Sequence, residues 1–315
     1  GIEQGVEVHR PRFTLIPRLG ARINPGLIAR AIMPLTERLH RAQPFDLVDA
    51  QFFYPDGPVA AHVAQRLGLP FSIKARGSDI TYWGGRDFAA EQMVAAADSA
   101  TGLLAVSQAL ARDMAALGMD PGKIAIHYPG LDRDRFRPLA HAGLRSRINQ
   151  TFGIALPETQ PVLASVGALV ERKGQDLAIG ALAQIPGAHL VLVGKGDDEA
   201  HLRNLADDLG LKARVHFLGS LDHDALPLVL SASDAMVLPT RNDGLAHAWV
   251  EALACGPPLV TCDVGGVREL VTGPEAGVLV ERTIPAIAAG INTVLARKSP
   301  RSTVAQAVAR FDWST

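Results

Sequence analysis

The sequence predicts an α/β protein built as two doubly wound units, and three observations carry that expectation. Short apolar runs alternate with longer amphipathic ones along most of the chain, the order of β-α-β units on a parallel sheet. The length, 315 residues, suits two domains rather than one. Between the halves, about 131–160, lies a stretch with charges, Pro138 and Pro157, which sets a boundary near 140.

In the first half the strand candidates are 46-DLVDAQ-51, 70-PFSIKA-75, 102-GLLAVS-107 and 124-IAIHYP-129. Helix candidates fall between them at 57–68, 87–98 and 107–117. Ahead of these, 24-NPGLIARAIMPLTERLHR-41 is amphipathic, with Leu27, Ala31, Ile32, Leu35 and Leu39 on one side and Arg30, Arg38 and Arg41 elsewhere. It reads as a surface helix that Pro34 interrupts; a basic amphipathic helix in this N-terminal domain could also give peripheral contact with an anionic membrane. In the second half the strands are 161-PVLASVG-167, 188-AHLVLVG-194, 214-RVHFLG-219, 234-DAMVLP-239 and 257-PPLVTC-262, with helices at 173–185, 198–209, 223–232 and 246–254. The expected domains are thus 1–140 and 141–315, each Rossmann-like, facing across a cleft.

Composition narrows the function. Lys+Arg 31 against Asp+Glu 32 leaves a net charge of −1, which argues against a nucleic-acid binder. Cys255 and Cys262 are too few for a disulfide framework and suit a reduced, cytoplasmic protein. No apolar run approaches the ~20 residues of a membrane-spanning helix. The first residue is Gly1 and the last run is 311-FDWST-315, so a missing piece at one or both ends is expected.

Three stretches carry chemistry. In 165-SVGALVERKGQDLAIGAL-182 a strand ends at Gly167 and a loop presents Arg172 and Lys173, a planar fork beside a point charge, before Gly174. That pair can hold a diphosphate, although taken alone it reads more readily as a solvated surface pair. In 191-VLVGKGDDEAHLRNLADDLG-210 a strand meets Gly194-x-Gly196, half of a dinucleotide fingerprint. The third glycine is absent, and Asp197, Asp198 and Glu199 crowd the helix start, where they would repel a pyrophosphate. A nicotinamide enzyme is therefore disfavoured; the glycines form a tight turn that lets something pass close to the backbone.

The third stretch is 237-VLPTRNDGLAHAWVEALACGPPLVTCDVGGVREL-270. Gly244 frees the backbone, so the amides of Leu245, Ala246 and His247 can point at an anion at a helix N-terminus. Glu251 lies about one and a half turns inside that helix, too deep to cap it, and suits a pair of ribose hydroxyls. His247 is a further candidate contact to donor or phosphate.

This stretch resembles the donor-site signature of the retaining glycosyltransferases of family 4, whose fold is the GT-B type. The matching residues are Asp243-Gly244, Glu251-Ala252, Ala254, Gly256, Pro258, Val260, Thr261 and Gly265-Gly266. The similarity extends to 166-VGALVERKG-174, 192-LVGKG-196, 217-FLGSL-221, 128-YPGLDRDRFRP-138, 104-LAVSQALARDMAALG-118 and 75-ARGSD-79. It implies transfer of a sugar, with retention, from a UDP- or GDP-linked donor to the hydroxyl of a glycan, lipid-linked or small-molecule acceptor; no Asp, Glu or His cluster has metal-ligand spacing, so the reaction is expected to be metal-independent. It implies no cofactor. Lys173 and Arg172 would neutralise the diphosphate, Glu251 would hold the ribose, and Asp243 would sit by the sugar. Gly167, Gly194, Gly265 and Gly266 would lie near the donor, Arg76 and Gly77 would line the acceptor side, and Asp79 beside them would be a catalytic residue together with Lys173, Arg172 and Asp243.

There are three departures: Asp243 where the family usually has Glu, Ala168 where Arg is common, and Arg76 where many members have His. The family's first strand with its glycine-rich loop is expected upstream of Gly1, and its C-terminal crossing helix beyond 311–315. A non-catalytic or truncated nucleotide-sugar-binding relative is the alternative, and the expected location is the cytoplasm, including the inner face of the membrane.

Overall fold

Apolar runs of three to five residues, stopped by glycine, proline or a polar pair, become parallel strands here, and the amphipathic runs between them become the crossover helices. The computed structural model describes residues 1–311 except 4, 15, 17–19 and 141. The chain divides into Gly1–Tyr128 and Pro129–Thr315.

The first unit opens with an antiparallel pair, β1 (Ile2–Glu3) and β2 (Val6–Glu7). It continues with α1 (Asn24–Ala42), β3 (Val48–Ala50), α2 (Asp56–Leu67), β4 (Phe71–Ala75), α3 (Ser78–Thr81), α4 (Asp87–Ser99), β5 (Gly102–Ala105), α5 (Gln108–Ala116) and β6 (Ile124–Ile126). The sheet is four-stranded in the order β3-β4-β5-β6, all parallel. Its strands lie where the apolar runs put them. Helix α1 differs from the expectation: it runs through Pro34 without a break. Pro34 sits on the exposed side, while Ala29 and Met33 are buried with Val59 and Val63 of α2, and that packing offsets the lost backbone bond. The buried stripe is therefore Pro25, Ala29 and Met33, with Ile28 and Ile32 beside it; Ala31 is exposed.

The second unit holds α6 (Leu144–Phe152), β7 (Val162–Val166), α7 (Gln175–Leu182), β8 (His189–Val193), α8 (Glu199–Asp208), β9 (Val215–Phe217), α9 (Leu226–Ala232) and β10 (Ala235–Leu238). After these come α10 (His247–Cys255), β11 (Leu259–Cys262), β12 (Gly277–Val280), α11 (Ile284–Arg297) and α12 (Arg301–Gln306). The sheet order is β12-β11-β10-β7-β8-β9, all parallel. The order reverses between β7 and β10, and in open α/β sheets ligands bind at the carboxyl ends of the strands at such a point.

Leu163, Leu190, Leu192, Val237 and Val260 from the strands pack with Ile179 and Leu182 of α7 and Ile287 and Ile291 of α11. Each such side chain, buried completely, contributes roughly 1.5–3 kcal/mol. The sequence pattern had not singled out α6, β12, α11 or α12.

The divide falls before 131–138, earlier than the expected boundary near 140. Leu131 N donates to Phe311 O at 2.7 Å and Leu139 N to Ser231 Oγ at 3.3 Å, so this stretch is stitched into the second unit. Both cysteines are buried, and burial pushes the Cys255 thiol up to about 12. Among the described residues no helix is long and apolar enough to cross a membrane.

Candidate active site

The carboxyl ends of β7 and β10 are joined by their loops. Gly167 ends β7, and the chain then makes a short 3-10 turn, Glu171–Lys173. The loop after β10 lies against it: Arg241 N donates to Arg172 O at 2.7 Å, and Thr240 Oγ1 to the same carbonyl at 3.2 Å. Arg282 straddles the junction, donating to Pro239 O and Glu171 O, both at 3.0 Å.

At this junction Lys173 is buried, 8% exposed, and its Nζ lies 2.9 and 2.8 Å from the two carboxylate oxygens of Asp243. The exposed Arg172 adds a second cation, with Nη1 3.7 Å from Asp243 Oδ1 and donating to Asn242 O at 3.1 Å. Two cations seventy positions away in sequence thus converge on one carboxylate.

The position of Asp243 is fixed from behind by the third loop, after β11. Gly265 takes φ +52, and a Cβ there would lie 1.8 Å from Asp243 O and 2.7 Å from Gly244 O. Gly266 N donates to Gly244 O at 2.7 Å. Only a residue without a side chain permits that approach. Beyond Gly244, α10 starts at His247 rather than 246, with Ala246 at its N-cap and no side-chain cap. Its N-terminus, three residues beyond Gly244, carries the partial positive charge of a helix start. His247 is exposed, and Leu245 is buried.

Trp249 to Cys255 are all buried, Glu251 among them. Glu251 Oε1 lies 3.0 Å from Nε2 of His223, a residue of the loop before α9. Burial raises the Glu251 pKa, and the His223 contact draws it back down. His223 is itself set by Phe136, whose ring meets it edge-on at 5.0 Å, and by Arg135, with Nη1 3.4 Å from Nδ1. His223 has no sequence signal of its own; its neighbour 217-FLGSL-221 was the only pointer.

The Gly194 and Gly196 turn resolves differently from a ligand contact. Cβ atoms there would lie 2.0 Å from Gly167 O and 2.1 Å from Leu169 O. What passes close to this backbone is the chain's own loop after β7, bound by Leu169 N to Lys195 O at 3.0 Å and Asp198 N to Leu169 O at 3.1 Å. Gly194 thus shapes the floor under the Lys173 loop.

In the first unit, Arg76 is exposed at the end of β4, and its guanidinium donates to Gln51 O at 2.9 Å and Gln51 Oε1 at 2.7 Å. Asp79, expected among the reacting groups, is completely buried. Its carboxylate accepts from the amides of Phe53 at 2.9 Å, Arg76 at 3.0 Å and Gly77 at 2.7 Å. Burial raises its pKa against the pull of those amides. With its oxygens occupied, Asp79 holds the Arg76–Gly77 loop and does not present a group to solvent. The Trp83 ring packs on Tyr54 and Phe88, while Tyr82 is exposed with the Arg86 guanidinium 3.9 Å from its ring centre. Among the described residues no group of three or more His, Cys, Asp or Glu is placed to hold a metal ion.

A family model described as glycosyl transferases group 1 matches residues 146–310, just over half the chain, and one described as glycosyltransferase family 4 matches residues 2–135. The chain belongs to the group 1, family 4 glycosyltransferases. It is 33% identical over 198 residues to a GDP-mannose-dependent alpha-(1-6)-phosphatidylinositol monomannoside mannosyltransferase of Mycolicibacterium smegmatis, covering 59% of this chain and 50% of that one. It is 34% identical over 189 residues to a D-inositol 3-phosphate glycosyltransferase of Mycobacterium tuberculosis, covering 58% and 38%. The chain spans half or less of the length of these curated relatives.

Among solved structures, Anabaena Alr3699/HepE in complex with UDP and glucose matches with a TM-score of 0.76 and 25% identity, over 88% of this chain and 76% of that one. The sucrose-phosphate synthase of Thermosynechococcus elongatus matches with a TM-score of 0.80 and 23% identity, over 96% and 77%. The fold is that of the GT-B glycosyltransferases. Each of the two units has the parallel sheet that fold requires. Asp243, the first acid of the run that resembles the family's donor-site signature, is the residue that engages Lys173.

Proposed function

We propose that the second unit binds a nucleotide-sugar donor and that the chain takes part in moving its sugar, with retention and without a metal, to an acceptor hydroxyl. The observation that carries this reading is the meeting of Lys173 and Arg172 on Asp243, in the loop that leads into α10, at the reversal point of the sheet. That grouping answers the hardest step of such a transfer. As the bond between the anomeric carbon and the diphosphate breaks, its electron pair leaves on phosphate oxygen. Two cations and a helix N-terminus stabilise the charge as it develops; one such donor is typically worth ~2.7–4 kcal/mol in the transition state.

Glu251, held by His223, would take the ribose hydroxyls. Asp243 and the backbone after Gly244 would face the sugar, with Gly265 and Gly266 closing behind them. The oxocarbenium-like sugar would be attacked on the face the diphosphate leaves. The similarity to a UDP-bound structure and to a GDP-mannose-dependent enzyme supports either nucleobase. Arg76 and Gly77, held by Asp79, would belong to the acceptor side. A lipid-linked acceptor met through the exposed Arg30, Arg38 and Arg41 of α1 is part of the same proposal, and vesicle flotation tests it.

The test is a titration with UDP-, GDP- and ADP-sugars followed by thermal melting, then an assay of donor hydrolysis with and without EDTA. Stabilisation by one of them, with EDTA-resistant turnover, is the expected result. No stabilisation by any would overturn the reading. A second reading, binding without transfer, is favoured by the shorter acid at 243, and stabilisation without turnover would support it.

A further inference from the structure

Lys173 is the buried cation of the proposed donor site, yet its ammonium is already engaged. Both oxygens of the Asp243 carboxylate lie within 2.9 Å of Nζ, and Arg172 Nη1 lies 3.7 Å from one of them. Two oxygens of one anion presented to two cations is the arrangement a phosphate group makes with a lysine and an arginine. The backbone at and after Asp243 is fixed, by Gly265 packed on its carbonyl and by the Gly266 to Gly244 hydrogen bond. With the backbone held, the carboxylate, 15% exposed, can change its direction only by side-chain rotation.

We infer that in the unliganded chain the Asp243 carboxylate occupies the diphosphate's place on Lys173, and that donor binding displaces it. This rests on the proposed donor site. The donor must exchange one ion pair for another, and the displaced carboxylate becomes available to the sugar hydroxyls. Once the sugar has left, Asp243 has no hydroxyl partner and competes with the nucleoside diphosphate for Lys173. Asp243 is thus a positioning residue that weakens product retention.

The exchange has an unusual sign. Removing the acid should strengthen binding of the product while weakening any added contribution from the sugar. Calorimetric titrations of UDP and of GDP into the wild-type chain, Asp243→Asn and Asp243→Ala measure this. Lys173→Ala serves to locate the site, and Glu171→Gln removes an equal charge from an exposed position in the same loop. Both Asp243 variants should bind one nucleoside diphosphate about tenfold to a hundredfold more tightly than wild type, the worth of a hydrogen bond to a charged group. Glu171→Gln should change affinity by less than about threefold. Binding that is lost in Lys173→Ala but unchanged or weaker in both Asp243 variants overturns this inference and leaves the donor-site reading standing. An equal gain in Glu171→Gln also overturns it, because charge alone would then suffice. No binding by any form overturns both.

Discussion

Replacing Gly265 by alanine tests how tightly the three loops are interlocked. At φ +52 an alanine carries the left-handed penalty, about 1–2 kcal/mol. Its Cβ would also stand 1.8 Å from Asp243 O, whereas real Cβ contacts do not fall below 3.0 Å. The Asp243 carbonyl must therefore retreat by about 1.2 Å, and the carboxylate that meets Lys173 moves with it. A displacement of ~1 Å at a reacting or binding group costs about 100-fold, so nucleotide-sugar affinity or turnover should fall by that order. Gly210→Ala is the matched control, since Gly210 has φ +68 and nothing within 4 Å of its Cβ position. Both variants should lose similar stability to backbone strain in thermal melts, and only Gly265→Ala should lose donor binding in calorimetry. Wild-type affinity in Gly265→Ala, or equal losses in both, would refute this reasoning.

Other perturbations have equally definite outcomes. Arg145→Ala removes a buried guanidinium that serves Asp234 at 2.7 Å and the carbonyls of Pro157, Glu158 and Gln160; urea unfolding should show a loss of about 3 kcal/mol or more, and a loss under ~1 kcal/mol would contradict that role. Asp79→Ala strands the amides of Phe53, Arg76 and Gly77, at about 1–3 kcal/mol for a buried group left unpaired, and a variant as stable as wild type to urea would show the carboxylate is not the loop's anchor. Glu251→Gln should show a pH signature. Burial raises the folded pKa of Glu251 above the ordinary value near 4.5, so its favourable contribution is present below that value and lost as pH rises through the folded pKa. Glu251→Gln should therefore gain stability relative to wild type as pH rises above the ordinary value near 4.5, measured also in a His223→Gln background; a difference independent of pH would contradict it.

The sequence was most informative where local chemistry and tertiary role coincide. The runs 161–167, 188–194 and 234–239 are continuous, apolar and stopped by glycine or proline, and each became a central strand. Lys173 and Asp243 were legible because both follow such strands, and parallel topology brings strand ends together. Glycines were legible as close approaches, but not what they approach: the backbone passing Gly194 and Gly196 is the β7 loop itself. His223 escaped notice because its partner, Glu251, is twenty-eight positions away and the pattern places 223 at the start of a helix, whereas α9 begins only at Leu226 and leaves His223 in the loop before it. Asp79 read as a reacting group because an acid after Gly77 at a strand end suits either role, and only burial separates them. Helix α1 passed through Pro34 because the apolar stripe against α2 outweighs one missing N–H. Length does not separate β12 from β10 and β11, which are also four residues long, and Pro285 stands in the first turn of α11, where proline starts a helix and does not break it.

The most direct measurement is a crystal structure of the chain with UDP or GDP bound. The expected result is a diphosphate within hydrogen-bonding distance of Lys173 Nζ and near the start of α10, with the ribose on Glu251 and the Asp243 carboxylate turned away. A nucleotide bound elsewhere, or one bound while Lys173 still holds both Asp243 oxygens, would contradict it.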